Sequence, residues 1–210
     1  MKRILIVDDH EVVRAGVMRI LDQPETIFGE ASNGADAMKL ATEESWDMVV
    51  LDLSLGEGCG LELLKELKQA RPRLPVLILS MHSEEQYARR AFQAGASGYV
   101  TKDSAPIELI KAVNRVSAGG RYVNEATAER FAQDLEKGGD LDQPAHQSLS
   151  DREFEVMRLI GSGKTVGEIA EILQLSKKTV STYRTRILEK MGMKTNAEII
   201  HYAIRNNLSD

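Results

Sequence analysis

Short unbroken apolar runs punctuate the first 120 positions, Ile4–Val7 and Met48–Leu51 the clearest, and each gives way to a segment with three-four apolar spacing. The runs predict strands near 3–7, 26–31, 48–52, 76–80 and 98–100 with amphipathic helices between them. Leu61, Leu64, Leu67 and Lys68, then Ile107, Ile110, Ala112 and Val113, mark helices with one buried stripe. Five such βα units wind right-handedly into a doubly wound α/β layer, a five-stranded parallel sheet covered on both faces.

Beyond residue 120 the pattern changes. Apolar density falls over 121–147, where a helix at 125–137 is followed by Gly138-Gly139-Asp140 and Pro144, the composition of a linker. Ser150 and Glu153 then form a capping-box signature, and everything after it has helical spacing. Stripes at Phe154, Val156, Met157, Ile160, at Val166, Ile169, Ala170, Leu173, and at Val180, Ile187, Met191 predict three helices, the last two separated by Gln174-Leu175-Ser176. The organisation is therefore an α/β domain at 1–120, a partly helical linker at 121–147 and a small all-α domain at 148–210. Two helices across a tight turn make either a helix-turn-helix reader of the major groove or a helical dimerisation module.

Charge divides along the same boundary. The chain carries a formal −5, yet residues 148–210 hold ten Lys or Arg against eight Asp or Glu, a balance of about +2 that leaves about −7 for the rest. One cysteine, Cys59, excludes an intrachain disulfide framework and a cysteine-built zinc site, and it is assigned no role. The short apolar runs predict neither a signal segment nor a membrane span, which points to a cytoplasmic protein.

Ligands of open parallel sheets sit outside the carboxyl ends of the strands. Asp8 and Asp9 follow the first run, Asp52 the third, Ser80 closes the fourth, and Lys102 lies just past the fifth. Three carboxylates there suit Mg2+, which takes oxygen ligands, while a lysine and a hydroxyl opposite suit phosphoryl oxygens. This inventory points to phosphoryl transfer onto Asp52. His10 and His82 lie near the same edge, but imidazole is a poor magnesium ligand, and His10 reads as a helix start. A magnesium-dependent aspartyl phosphatase is a rival reading, but it needs an acid two residues after the nucleophile, where Ser54 stands. A nucleotide-binding protein is disfavoured because no Gly-rich phosphate loop follows the first strand.

Residues 1–120 resemble the receiver domain of two-component response regulators at Asp8, Asp9, Asp52, Ser80, Tyr99 and Lys102. The resemblance implies the flavodoxin-like strand order 2-1-3-4-5, magnesium held by Asp8, Asp9, Asp52 and the carbonyl of Ser54, and phosphorylation of Asp52 by a cognate histidine kinase. Ser80 would then swing toward the phosphoryl group, and Tyr99 would turn inward behind it. The chain departs from the family after Asp52, where Leu55-Gly56 replaces Met-Pro within Ser54-Leu55-Gly56-Glu57-Gly58-Cys59-Gly60. Three glycines there predict a freely moving loop and leave the phosphoryl lifetime open.

At Leu149–Glu153, Glu168–Ala170, Leu175–Val180 and Lys190–Gly192 the chain resembles the LuxR-type helix-turn-helix of NarL/FixJ response regulators, and Thr179–Arg184 is similar to the GacA/UvrY-like members. The resemblance implies a recognition helix from about Lys177 to Met191. Ser181, Thr182 and Thr185 would face bases, while Lys177, Lys178, Thr179, Tyr183 and Arg186 would meet the backbone of double-stranded DNA. Helical geometry about Val180 puts Lys178, Thr182, Thr185, Arg186 and Glu189 outward and Arg184 near the core edge. A domain of about +2 binds weakly alone, so a homodimer on half-sites about 34–36 Å apart is expected. The last helix, from Thr195 to about Asn206, carries Ala197, Ile200, Ala203 and Ile204, which either close the core or meet a second subunit. A DNA-binding regulator whose receiver acts without phosphate is the alternative.

Overall fold

The computed structural model describes residues 2–56, 58–104, 106–136 and 144–208. Strands β1 (Lys2–Val7), β2 (Thr26–Ala31) and β3 (Met48–Leu51) are followed by two-residue strands β4 (Ser54–Leu55) and β5 (Gly58–Cys59), then β6 (Val76–Ser80) and β7 (Gly98–Thr101). Five of them form a sheet in the order β2-β1-β3-β6-β7, every pair parallel, and β4 pairs only with β5. With that hairpin set aside, the order is the expected 2-1-3-4-5. Register places Val7 opposite Leu51, so Asp8 and Asp52 leave the sheet side by side.

Helices α1 (Glu11–Leu21), α2 (Gly34–Glu43), α3 (Gly60–Ala70), α4 (Glu84–Gln93) and α5 (Pro106–Ser117) connect the strands. Ile4, Ile6, Met48, Val50, Leu77, Leu79 and Val100 form one sheet face and pack with Val17 and Leu21 of α1 and with Leu109, Ala112, Val113 and Val116 of α5. The buried stripe of α5 thus differs from the sequence reading. Ile107 is 59% exposed, and the buried residues of α5 are Leu109, Ala112, Val113 and Val116.

The Gly-rich segment is not the free loop that its composition predicts. Ser54 pairs with Cys59 and Leu55 with Gly58, and the N–H of Gly60 bonds to the carbonyl of Leu53 at 3.0 Å. Gly60 has a packing reason: a Cβ there would stand 2.4 Å from Leu53 Cα and 2.6 Å from the carbonyl oxygen of Asp52.

Helix α6 (Glu125–Glu136) matches the helix expected in the linker, but contacts carry the first compact unit through Gln133. The cause lies in Tyr122, whose N–H bonds to Ser97 O at 3.1 Å and whose carbonyl accepts the N–H of Tyr99 at 2.9 Å, extending the sheet by one bridge. Gly138, Gly139 and Asp140 fall outside the described residues.

The second unit holds a 3-10 turn (Ala145–Ser148) and helices α7 (Asp151–Gly161), α8 (Val166–Ile172), α9 (Lys177–Met191) and α10 (Asn196–Arg205). Capping boxes open α7 at Ser150/Glu153 and α8 at Thr165/Glu168. Phe154, Val156, Met157, Ile160, Ile169, Val180 and Ile187 form the core with Ile199 and Ala203. The stripe of α10 is therefore Ile199 and Ala203. Ala197 and Ile204 are exposed and Ile200 is half-buried, a rotation set by Gly161, where a Cβ would meet that of Ala203 at 2.5 Å. Among the described residues no helix is long and apolar enough to cross a membrane.

Candidate functional sites

At the carboxyl edge of the sheet, Lys102 Nζ lies 2.6 Å from Oδ2 of Asp52 and 2.6 Å from Oδ2 of Asp8. Asp52 is 2% exposed, and its other oxygen, Oδ1, is buried without a hydrogen-bond partner, the N–H of Ser54 lying near the carboxyl but not in bonding geometry to that atom. Burial pushes the Asp52 carboxyl above its ordinary range, and Lys102 pulls the other way. Burial also works against the Lys102 ammonium, but its two carboxylate partners outweigh it and raise its pKa.

Asp8 Oδ1 accepts the N–H of His10 at 2.8 Å, so Asp8 turns the chain into α1 while keeping its other oxygen on Lys102. Asp9 is more open, with His10 Nδ1 2.6 Å from its Oδ1, and Asp8, Asp9 and His10 bring ligand atoms within 4.8 Å of one another. Asp52 shares Lys102 with Asp8, and its unpartnered oxygen adds to a set of hard oxygen donors that fits a divalent cation, since a buried polar atom without a partner is costly. His10 is the α1 N-cap residue and contributes no side-chain cap.

Ser80 is fully buried, and its Oγ accepts the N–H of His82 at 3.3 Å. Tyr99 is also fully buried, donates its hydroxyl to the His82 carbonyl at 2.9 Å and meets the Ser80 hydroxyl; burial pushes its pKa well up. The tyrosine thus already lies inward in this structure. Ser54 supplies a contact that the sequence did not announce: its Oγ lies 3.3 Å from His82 Nε2, and the His82 ring stacks on Tyr87 with centroids 4.4 Å apart. Pairing across loops 28 residues apart leaves no local sequence signal.

In the second unit, Ser176 Oγ accepts the N–H of Thr179 and opens α9, and Gly192, at φ 65°, closes it. Val180 and Ile187 are its buried residues. Lys177, Lys178, Ser181, Thr182, Thr185 and Arg186 are exposed together, while Thr179 and Tyr183 are half-buried at the margin. Hydroxyls of Thr182 and Thr185 bond back to the carbonyls of Lys178 and Ser181, at 3.0 and 3.1 Å. Arg184 is half-buried and donates to Asn196 Oδ1, which ties α9 to α10. The outward face is cationic and hydroxylated, chemistry suited to phosphates and base edges.

A parallel-sheet domain with a buried aspartate and lysine at its carboxyl edge, joined to a helix-turn-helix unit, defines a two-domain regulatory protein. Residues 4–114 match the response regulator receiver domain, and residues 147–203 match the bacterial regulatory proteins of the luxR family. The chain is 38% identical to the response regulator UvrY of Escherichia coli strain K12 over 210 residues, 99% of this chain and 96% of the relative. It is 35% identical over 212 residues to the response regulator GacA of Pseudomonas aeruginosa, covering 100% of this chain and 99% of that one. Among solved structures it resembles RcsB, determined as two dimers bound to two parallel DNAs, with a TM-score of 0.60 and 25% identity over 97% of this chain and 98% of that one. The chain belongs to the response regulators that join a receiver to a LuxR-type helix-turn-helix, the NarL/FixJ family, and is a transcription factor.

Proposed function

We propose that Asp52 takes a phosphoryl group from a histidine kinase and that this event governs dimeric binding of α9 to paired DNA half-sites. The observation that carries the reading is the buried Asp52 carboxylate, with one oxygen on Lys102, which also holds Asp8, and the other unpartnered. The carboxylate attacks the phosphorus of a phosphohistidine, the P–N bond breaks, and the departing imidazole nitrogen keeps the electron pair and takes up a proton. Lys102 binds a phosphoryl oxygen as its charge passes from Asp52, and Ser80 donates its hydroxyl to another. Asp8, Asp9, Asp52 and the Ser54 carbonyl would hold Mg2+, which supplies positive charge against the incoming phosphoryl oxygens.

On the output side, Ser181, Thr182 and Thr185 read base edges, and Lys177, Lys178, Thr179, Tyr183 and Arg186 engage the backbone. The exposure of this face together supports that reading. The half-buried Ile200 and exposed Ile204 of α10 are available to a second copy.

Labelling with a small phosphodonor and magnesium, followed by mass and DNA affinity at fixed salt, tests both halves. Asp52→Asn should lose labelling and the accompanying change in affinity; persistent labelling overturns the assignment. A second reading, a receiver that holds its output state without phosphate, is favoured by the inward Tyr99. It requires Asp52→Asn to bind DNA as tightly as the phosphorylated chain.

A further inference from the structure

Tyr99 connects the Asp52 pocket to the linker through both of its ends. Its hydroxyl bonds to His82 O at 2.9 Å, and its backbone N–H bonds to Tyr122 O at 2.9 Å. A Cβ at Gly98 would stand 3.0 Å from that same Tyr122 carbonyl, so the linker lies directly against β7.

Two residues past His82, Glu84 begins α4 with its side chain turned to α6. It is 6% exposed and accepts the N–H of Asn124 at 3.2 Å, while Asn124 Oδ1 accepts the N–H of Thr127 at 2.8 Å and caps α6. Thr127, 4% exposed, adds its hydroxyl to Glu84. Farther along, Arg130 pairs with Glu85, and Phe131 meets Phe92 edge-on at 5.9 Å. One side of the Ser80–Glu84 segment therefore faces the pocket, and its end holds the start of α6.

We propose that α6 docks preferentially on the receiver with Tyr99 inward, so that phosphorylation of Asp52 tightens the linker onto α4 and β7 instead of releasing it. The direction rests on the phosphorylation of Asp52 proposed above and on the movement that the receiver resemblance implies, in which the phosphoryl group draws Ser80 and favours the inward tyrosine. The coupling itself rests on the contacts. An outward Tyr99 withdraws its hydroxyl from His82 and disturbs the backbone from which Tyr122 hangs, and linked equilibria act in both directions.

Amide hydrogen exchange across residues 122–133 tests the coupling first in the unphosphorylated chain. Tyr99→Phe, which removes one hydroxyl and keeps the ring, should speed exchange in α6 by about fivefold or more. Unchanged exchange overturns the coupling whatever phosphate does. Phosphodonor with magnesium should slow the same amides in the wild type and leave Asp52→Asn unaltered, whereas faster exchange overturns the direction. As the reciprocal measurement, Arg130→Glu, remote from the pocket, should weaken binding of beryllium trifluoride by about fivefold; undiminished binding overturns the link. Absence of any labelling in the wild type refutes the function proposed for Asp52, and the Tyr99→Phe comparison still decides the coupling.

Discussion

Lys190 Nζ lies 2.6 Å from Oε2 of Glu153, which pins the last turn of α9 to the first turn of α7. The same carboxylate oxygen accepts the N–H of Ser150 at 2.8 Å. Burial opposes its charge, but Lys190 and the Ser150 groups prevail and hold the carboxyl below its ordinary range. Its contribution to stability is therefore complete above the unfolded carboxylate pKa, about 4.3, and is lost as pH falls through the lower folded value. Glu153→Gln should cost about 2 kcal/mol at pH 7. Thermal unfolding between pH 7 and pH 3 should show a shallower acid slope in the variant, and parallel curves would count against this account.

Lys102 pairs with two buried carboxylates at once. Lys102→Ala should slow phosphodonor labelling by at least about tenfold, since it removes both the cation that restrains the Asp52 pKa and the binder of phosphoryl oxygen. Labelling time courses across a magnesium series check this; a rate within twofold of wild type would contradict it.

Gly60→Ala forces a methyl group against Leu53 and the Asp52 carbonyl. A cost of about 1–3 kcal/mol is expected, with slower labelling because the strain falls on the backbone that carries the acceptor. Denaturant unfolding alongside labelling tests both parts, and a variant as stable as wild type would show that the hairpin yields easily.

On α9 the exposed cation and hydroxyl should separate experimentally. Lys178→Ala should weaken binding to all duplexes alike and reduce the salt slope by about 1, while Thr185→Ala should alter preference among sequences at an unchanged slope. Titrations over a salt series with several operator variants distinguish these patterns.

The parallel sheet and the gathering of Asp8, Asp52, Ser80 and Lys102 were legible because buried parallel strands are continuous apolar runs whose ends are sharp, whereas the strand order came from the resemblance to receiver domains. The outward face of α9 was legible for a similar reason, since Val180 fixes the phase of a regular helix. Phase failed at Ile107 of α5, which lies exposed although its spacing fits a stripe, while on α10 it left open which residues close the core, and Ile204 lies exposed. In those helices the neighbour decides, and Gly161 gives no hint in sequence that Ala203 will press against it. The hairpin after Asp52 was hidden by glycines, which permit a turn or a close approach as readily as freedom. The docking of Tyr122 on β7 was hidden because an isolated bridge has no periodicity.

That bridge also protects the protein. Strand β7 ends the sheet, and an uncovered end strand offers free N–H and C=O groups to any passing chain. Tyr122 occupies two of them, one on Ser97 and one on Tyr99. A chain cut at Gly120 would keep every pocket residue and yet expose a ready template for strand addition, so a truncated receiver should self-associate in a way that the intact chain does not.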